Sequence, residues 1–320
     1  MPAQLRGATA QGIEAFENAK CGLTTHWGLY SLLGGSEWAY FNERIPLQQY
    51  HALMKRFDPQ RFNAEEWGDL LLEAKLNFLF ITSKHHDGFC LWDSQLTDFK
   101  VTNTPFQRDI IAELAQALRE RGIGLHFYYS LVDWTHSAYR TDWSAYVAYY
   151  QSQIRELCTH YGQIAGFVFD GCWPRQEFEG DEIEYFSPRG LWDLAGTYQI
   201  IHELQPHAVI CNNSHILPLP GEDYQVWELD LPGENTIGFN TTQRGDKLTA
   251  SWFNLNGGWS YSPRQHRVMT THQLMNYYRR VRAANAVFML NVGPRPFGDI
   301  HPEEQMVLRQ FGLLREQEGI

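Results

Sequence analysis

Ile164-Ala165-Gly166-Phe167-Val168-Phe169-Asp170-Gly171 is a short apolar run that stops on a carboxylate and a glycine. The run has the length of a fully buried strand. Asp170 would stand at its C-terminal end, partly desolvated, with Gly171 letting the backbone turn away at once. An aspartate there could instead cap a following helix. The next stretch, Cys172 to Leu191, reads as loop, so capping is the less natural role.

Six further runs of the same kind surround it: residues 21–28, 77–88, 123–130, 207–215, 223–230 and 285–294. Helical periodicity lies between several of them. Ala64–Leu76 follows Asn63 as N-cap, and Asp109–Arg121 stops at Gly122. Asp142–His160, Gly190–Leu204, Met269–Ala284 and Pro302–Gln317 carry the same pattern. Strands alternating with helices imply a parallel sheet. The repeat is regular: His85 to Tyr128 is 43 residues, and Tyr128 to Asp170 and Asp170 to Asn212 are 42 each. The fold expected is an α/β (β/α)8-like, TIM-type barrel, as one domain over residues 1–320. A doubly wound open sheet is the alternative. Residues 223–268 are poor in helical pattern, so the barrel should be irregular, with a helix missing or replaced there.

In a parallel barrel the C-terminal strand ends converge on one face. His26, His85, His86, Tyr128, Asp170, Asn212, Asn213, Glu228 and Asn291 all fall at such ends. Two carboxylates at one barrel mouth, Asp170 and Glu228, suit hydrolysis of a glycosidic bond, one as nucleophile and one as general acid/base. Asp223 and Asp230 compete with Glu228 for the second role. If the strand stays extended through His85 and His86, consecutive side chains point to opposite faces, and the pair cannot share a metal ion. There is no HxH, HExxH, GxSxG, P-loop or GxGxxG pattern, so no metal or cofactor is expected. His126 and His160 have no such context.

The 320 residues carry 26 Lys and Arg against 37 Asp and Glu, a net charge of −11, which argues against nucleic acid as a partner. No apolar stretch is long enough to span a bilayer. The N-terminal segment has no apolar core of a secretory signal, and the five scattered cysteines form no CxxC pair. Both features point to a reducing, cytoplasmic setting. Eleven tryptophans are many for this length and suit either an aromatic core or a cleft for a flat apolar face.

These stretches resemble the α-L-fucosidases of glycoside hydrolase family 29. The resemblance is carried by His26-Trp27-Gly28-Leu29-Tyr30-Ser31, Ser36-Glu37-Trp38 and Lys84-His85-His86-Asp87-Gly88-Phe89 with Leu91-Trp92-Asp93-Ser94. It continues through Arg108-Asp109, Tyr128-Tyr129-Ser130, Phe169-Asp170-Gly171 and Leu290-Asn291-Val292-Gly293-Pro294. The resemblance implies a metal-free, retaining enzyme acting on fucosylated oligosaccharides, with Asp170 as nucleophile. His26, Glu37, Trp38, His85, His86 and Tyr128 would bind the sugar, with Trp259 near the cleft. Glu228 would be the acid/base, because residues 221–228 resemble the family's GDFxTxE stretch. Trp27, Trp38, Phe169 and Trp259 are candidates for the apolar wall against the fucose methyl group.

Three departures from the family pattern stand out. Val168 replaces a tryptophan two residues before the nucleophile. Ser214 follows Asn212-Asn213 where relatives carry arginine, so that contact would pass to His215 or Arg264. The C-terminal β-sandwich common in the family is absent from residues 1–320, which leaves a neighbouring copy in a homo-oligomer to shape the leaving-group side. These departures keep open a non-catalytic carbohydrate-binding protein, and a retaining glycosidase for another 6-deoxy or galactose-configured sugar.

Overall fold

The computed structural model describes residues 5–172 and 192–320. Eight parallel strands form one sheet: β1 (Cys21–Thr25), β2 (Phe78–Lys84), β3 (Gly124–Ser130), β4 (Gly166–Asp170), β5 (Val209–Asn212), β6 (Tyr224–Glu228), β7 (Leu248–Asn254) and β8 (Ala286–Val292). They pair in the order β5-β4-β3-β2-β1-β8-β7-β6. This is the expected barrel rather than the doubly wound sheet. β7 is not among the runs that the sequence singles out. Its Thr249 and Ser251 break the apolar run, yet both are buried by the layers on either side.

The wall closes between β5 and β6 without a ladder. The Asp223 amide donates to Ile210 O at 2.7 Å, and Asp223 Oδ2 accepts from the Ile210 amide at 2.8 Å. Asp223 Oδ1 accepts from the Ala8 amide at 2.8 Å. One buried carboxylate thus takes the place of a run of backbone bonds.

Inside the barrel, alternate residues point inward because a strand repeats every two residues. Phe78, Phe80, Tyr128, Val168, Val209, Cys211, Tyr224, Val226, Ala250, Trp252, Val287 and Met289 form this inner cluster. Phe16, from the helix Ala10–Ala19, plugs the bottom against Phe78 and Tyr224 at 5.5 and 4.7 Å between ring centroids. Gly22 leaves room for that packing, since a Cβ there would sit 2.1 Å from the Phe78 ring. His126 belongs to the same plug, 4.3 Å from the Phe80 ring.

The outer faces of the strands bury against the helices Ala64–Glu73, Ile110–Glu120, Trp143–His160, Leu194–Leu204, Thr271–Ala283 and Pro302–Glu318. Their starts follow the sequence signals: Asn63 Oδ1 accepts from the amides of Glu65 and Glu66, and Asp109 Oδ1 from Ala112. Among the described residues no helix joins β5 to β6 or β6 to β7. Residues 229–247 form instead a loop around Asp230, which accepts from Thr236 and Asn240. The helix absent between β6 and β7 falls inside the expected region, residues 223–268, whereas the one absent between β5 and β6 lies just ahead of it.

Candidate active site

The period-two alternation that fills the barrel also builds its mouth. Continuing each inward series toward the C-terminal end reaches His26 after β1, Asp170 on β4, Asn213 after β5, Glu228 on β6, Trp252 on β7 and Asn291 on β8. The first five line a cavity of about 230 Å³, with Glu37, Trp38, His85, His86, His215, Phe239 and Trp259. That is smaller than the roughly 300–1,000 Å³ of drug-sized sites and suits one sugar ring.

His85 and His86 both face this cavity. β2 has a register irregularity between Thr82 and Lys84 and ends there, so the histidines lie in a turn, their rings 4.0 Å apart. The opposite-face expectation holds only for an extended strand and does not apply. Gly88 closes the turn at φ 78°, and a Cβ there would lie 2.3 Å from Asp133 Oδ1. Lys84 points away from the cavity into a buried ion pair with Asp133 at 3.5 Å.

The imidazoles are neutral, and two have a fixed tautomer. Burial pulls His26 down to about 4 and His85 and His86 well below the ordinary histidine range. Ser130 Oγ donates to Val132 O at 2.8 Å, so the 2.6 Å contact with His86 Nδ1 must be a donation from the ring. Asn291 Nδ2 donates to Trp259 O at 2.7 Å, which leaves Asn291 Oδ1 to accept from His26 Nδ1 at 2.8 Å. Nε2 of both rings is therefore an acceptor, complementary to hydroxyl groups that donate.

Across the cavity stand the carboxylates. Asp170 Oδ2 accepts from the Tyr128 hydroxyl at 2.7 Å, and Oδ1 from the Gly171 amide at 2.8 Å. Burial lifts its pKa to about 6 against these bonds and one from Asn213. Glu228 is lifted to about 7, first by burial, while Asn213 opposes the rise and the charge on Asp170 adds to it. Asn213 Nδ2 donates to Glu228 Oε2 at 2.9 Å. Both carboxyl groups face the same small cavity, and the charge of Asp170 is felt at Glu228. Such a pair at one sugar-sized mouth is the arrangement that glycoside hydrolysis uses.

The other sequence candidates separate cleanly. Glu37 lines the cavity and accepts from Ser260 Oγ at 3.1 Å. Trp38 and Trp259 form apolar wall, whereas Trp27 packs outward on Phe57, Phe62 and Trp67, and Phe169 on Tyr129 and Phe167. Tyr128 is not in the lining; its hydroxyl is spent on Asp170. Asp223 sits at the opposite end of β6, in the seam, and Asp230 anchors its loop, so of these rivals only Glu228 reaches the cavity. Arg264 is exposed outside the lining, while His215 is part of it. Trp252 and Phe239 were not singled out. Trp252 could have been found by continuing the inward series from Ala250. Phe239, in a loop, carries no periodic signal.

One group of side chains among the described residues could approach a metal-ligand set: His266, His301 and Glu303. It lies outside the cavity lining, where His301 Nδ1 accepts from the Glu303 amide and caps the helix Pro302–Glu318. The helix N-terminus already carries positive partial charge there, which disfavours a cation.

The alpha-L-fucosidase family model matches residues 6–319. The chain belongs to the alpha-L-fucosidase family. It is 31% identical over 287 residues to Alpha-L-fucosidase 1 of Arabidopsis thaliana, covering 81% of this chain and 52% of the relative. The chain thus spans about half the length of that relative. The solved structure of alpha-L-fucosidase isoenzyme 1 from Paenibacillus thiaminolyticus matches with a TM-score of 0.83 at 30% identity, over 97% of this chain and 77% of that one. A Bacteroides thetaiotaomicron family 29 alpha-L-fucosidase, solved as a trapped covalent intermediate with 2-fluoro-fucosyl fluoride, matches with a TM-score of 0.83 at 25% identity, over 98% of this chain and 76% of that one.

Proposed function

We propose that this member of the alpha-L-fucosidase family hydrolyses terminal α-L-fucosyl linkages of oligosaccharides or glycoconjugates with retention, through a fucosyl ester on Asp170. The observation that carries the reading is that Asp170 and Glu228 face one cavity the size of a single sugar ring, with the charge of Asp170 raising Glu228. In that arrangement one carboxyl group can displace while the other protonates.

In this reading Asp170, ionised, attacks the anomeric carbon. Glu228, protonated, gives its proton to the departing oxygen. Water then hydrolyses the ester, with the Glu228 carboxylate taking its proton. The order of the two pKa values suits these roles, about 6 for the nucleophile and about 7 for the acid. Hydrogen bonds from Tyr128 and Gly171 favour the ionised form of Asp170 against its burial. Once the ester forms, the Asp170 charge that helps raise Glu228 is gone, so the pKa of Glu228 falls and the group stays ionised, ready to take a proton from water. A covalent intermediate trapped in the Bacteroides relative agrees with this course.

His26, His85, His86, Glu37, Trp38 and Trp259 would hold the sugar, the imidazoles accepting its hydroxyl protons. Trp38 and Trp259 offer the apolar wall for the methyl group, worth about 0.8 kcal/mol by analogy with a methylene. A cytoplasmic setting is part of the proposal, supported by five buried cysteines that form no disulfide. The test is nitrophenol release from 4-nitrophenyl α-L-fucoside, with proton NMR following the first-formed sugar. α-L-fucose appearing before its β anomer is the expected result. The β anomer appearing first overturns the covalent course, and binding without turnover favours a carbohydrate-binding protein.

A further inference from the structure

The cavity holds one ring, and Glu228 must send its proton outward from that ring to the leaving oxygen. What lies on that side decides which leaving groups the site accepts. His215 and Phe239 stand there, both lining the cavity. His215 Nε2 is 4.0 Å from Glu228 Oε2, and the Phe239 ring is 4.5 Å from the His215 ring.

Phe239 is 48% exposed, although a large aromatic ring gains by burial. Its exposure does not come from a loose loop. The next residue, Asn240, is buried and donates to Glu228 O at 2.8 Å and to Asp230 Oδ2 at 2.9 Å. The same side chain, through Oδ1, holds His215 Nδ1 at 3.1 Å. The Thr241 amide donates to His215 O at 3.0 Å. Because Asn240 spends its NH2 elsewhere, Oδ1 is the acceptor and His215 Nδ1 the donor. His215 Nε2 is left as an acceptor, too far from Glu228 Oε2 for a direct hydrogen bond. A bare aromatic face and an acceptor nitrogen are thus fixed to the backbone of the residue that protonates the leaving group.

We propose that Phe239 and His215 form a second subsite for the leaving group, and that it takes a pyranose ring. The ring stacks its C–H face on Phe239 and donates a hydroxyl to His215 Nε2. A polyhydroxylated ring with one apolar face satisfies both features at once, whereas a purely apolar group leaves the imidazole without a partner. The inference rests on the fucosidase reading.

Its test compares kcat/KM for two kinds of substrate, fucosyl disaccharides with N-acetylglucosamine or galactose as leaving sugar, and α-L-fucosyl fluoride. Fluoride is too small to reach Phe239. Phe239→Ala should lower kcat/KM for the best disaccharide about fivefold to tenfold more than for the fluoride, chiefly through KM. Phe239→Tyr, which keeps the flat face, should hold the wild-type ratio. Equal losses on both substrates assign Phe239 a purely structural role and overturn the subsite. So does wild-type turnover of the fluoride with none of the disaccharides cleaved. If the wild type turns over neither kind of substrate, the fucosidase reading itself fails and the subsite with it.

Discussion

The two sides of the cavity are buried to a similar degree and respond in opposite ways. On the side of β1 to β3, burial drives His26, His85 and His86 to the neutral form by lowering their pKa values. On the side of β4 to β6, the same burial favours the neutral form of Asp170 and Glu228 by raising theirs. Desolvation penalises charge whatever its sign. One environment therefore makes three neutral imidazoles, two of them with a fixed tautomer, and two carboxyl groups whose ionisation is shifted toward neutral pH. In the proposed reaction the first side recognises and the second reacts, and substitutions should sort accordingly.

The largest effect belongs to the reacting side. Asp170→Ala should lower kcat by about 10⁴-fold or more, and added azide should restore nitrophenol release from 4-nitrophenyl α-L-fucoside as β-fucosyl azide. Azide without effect on the dead variant would remove Asp170 from the nucleophile's role.

Glu228→Gln comes next. It should cost about 10²–10⁴-fold on a fucosyl disaccharide and less on the nitrophenyl substrate, whose leaving group needs little protonation. The wild-type kcat/KM profile should be a narrow bell. Asp170 must be ionised, so activity falls as pH drops through about 6. Glu228 must be protonated, so activity falls as pH rises through about 7. The glutamine variant should lose the alkaline limb and keep the acid one. An alkaline limb that survives would assign the proton donor to another group.

The recognising side should show smaller losses and unmoved limbs. His86→Ala should reduce kcat/KM by about 10–100-fold, the cost of leaving a buried hydroxyl without its partner. Ser130 lies outside the cavity lining, and Ser130→Ala removes the acceptor that holds the His86 tautomer together with the bond to Val132 O, so about 2–10-fold is expected. A Ser130 variant that shifts either pH limb while sparing KM would break the division between the two sides.

Much of this was legible in the sequence, for a physical reason. A strand repeats every two residues, so the polar residue closing each apolar run falls on the inward series, as with His26, Asp170 and Glu228. Tyr128 was also found, though it works on Asp170 rather than in the lining. Trp252 was hidden because Thr249 and Ser251 interrupt its strand, so no continuous apolar run marks it. His85 and His86 would face apart only on an extended strand, and a register shift followed by a turn brings them together. Phe239 depends on bonds between Asn240 and distant residues, which no local pattern records.

The β5–β6 seam has a kinetic side. Ladder bonds open cooperatively, whereas a join held by a few side chains opens locally and at lower cost. At one end of this seam stands Asp223, and at the other Asn213 ties the end of β5 to Glu228 on β6. The gap between nucleophile and acid thus spans the least reinforced joint in the wall. Thermal breathing there acts directly on the distance that the reaction must hold, so the lifetime of the closed joint sets how often the two carboxylates are in position together.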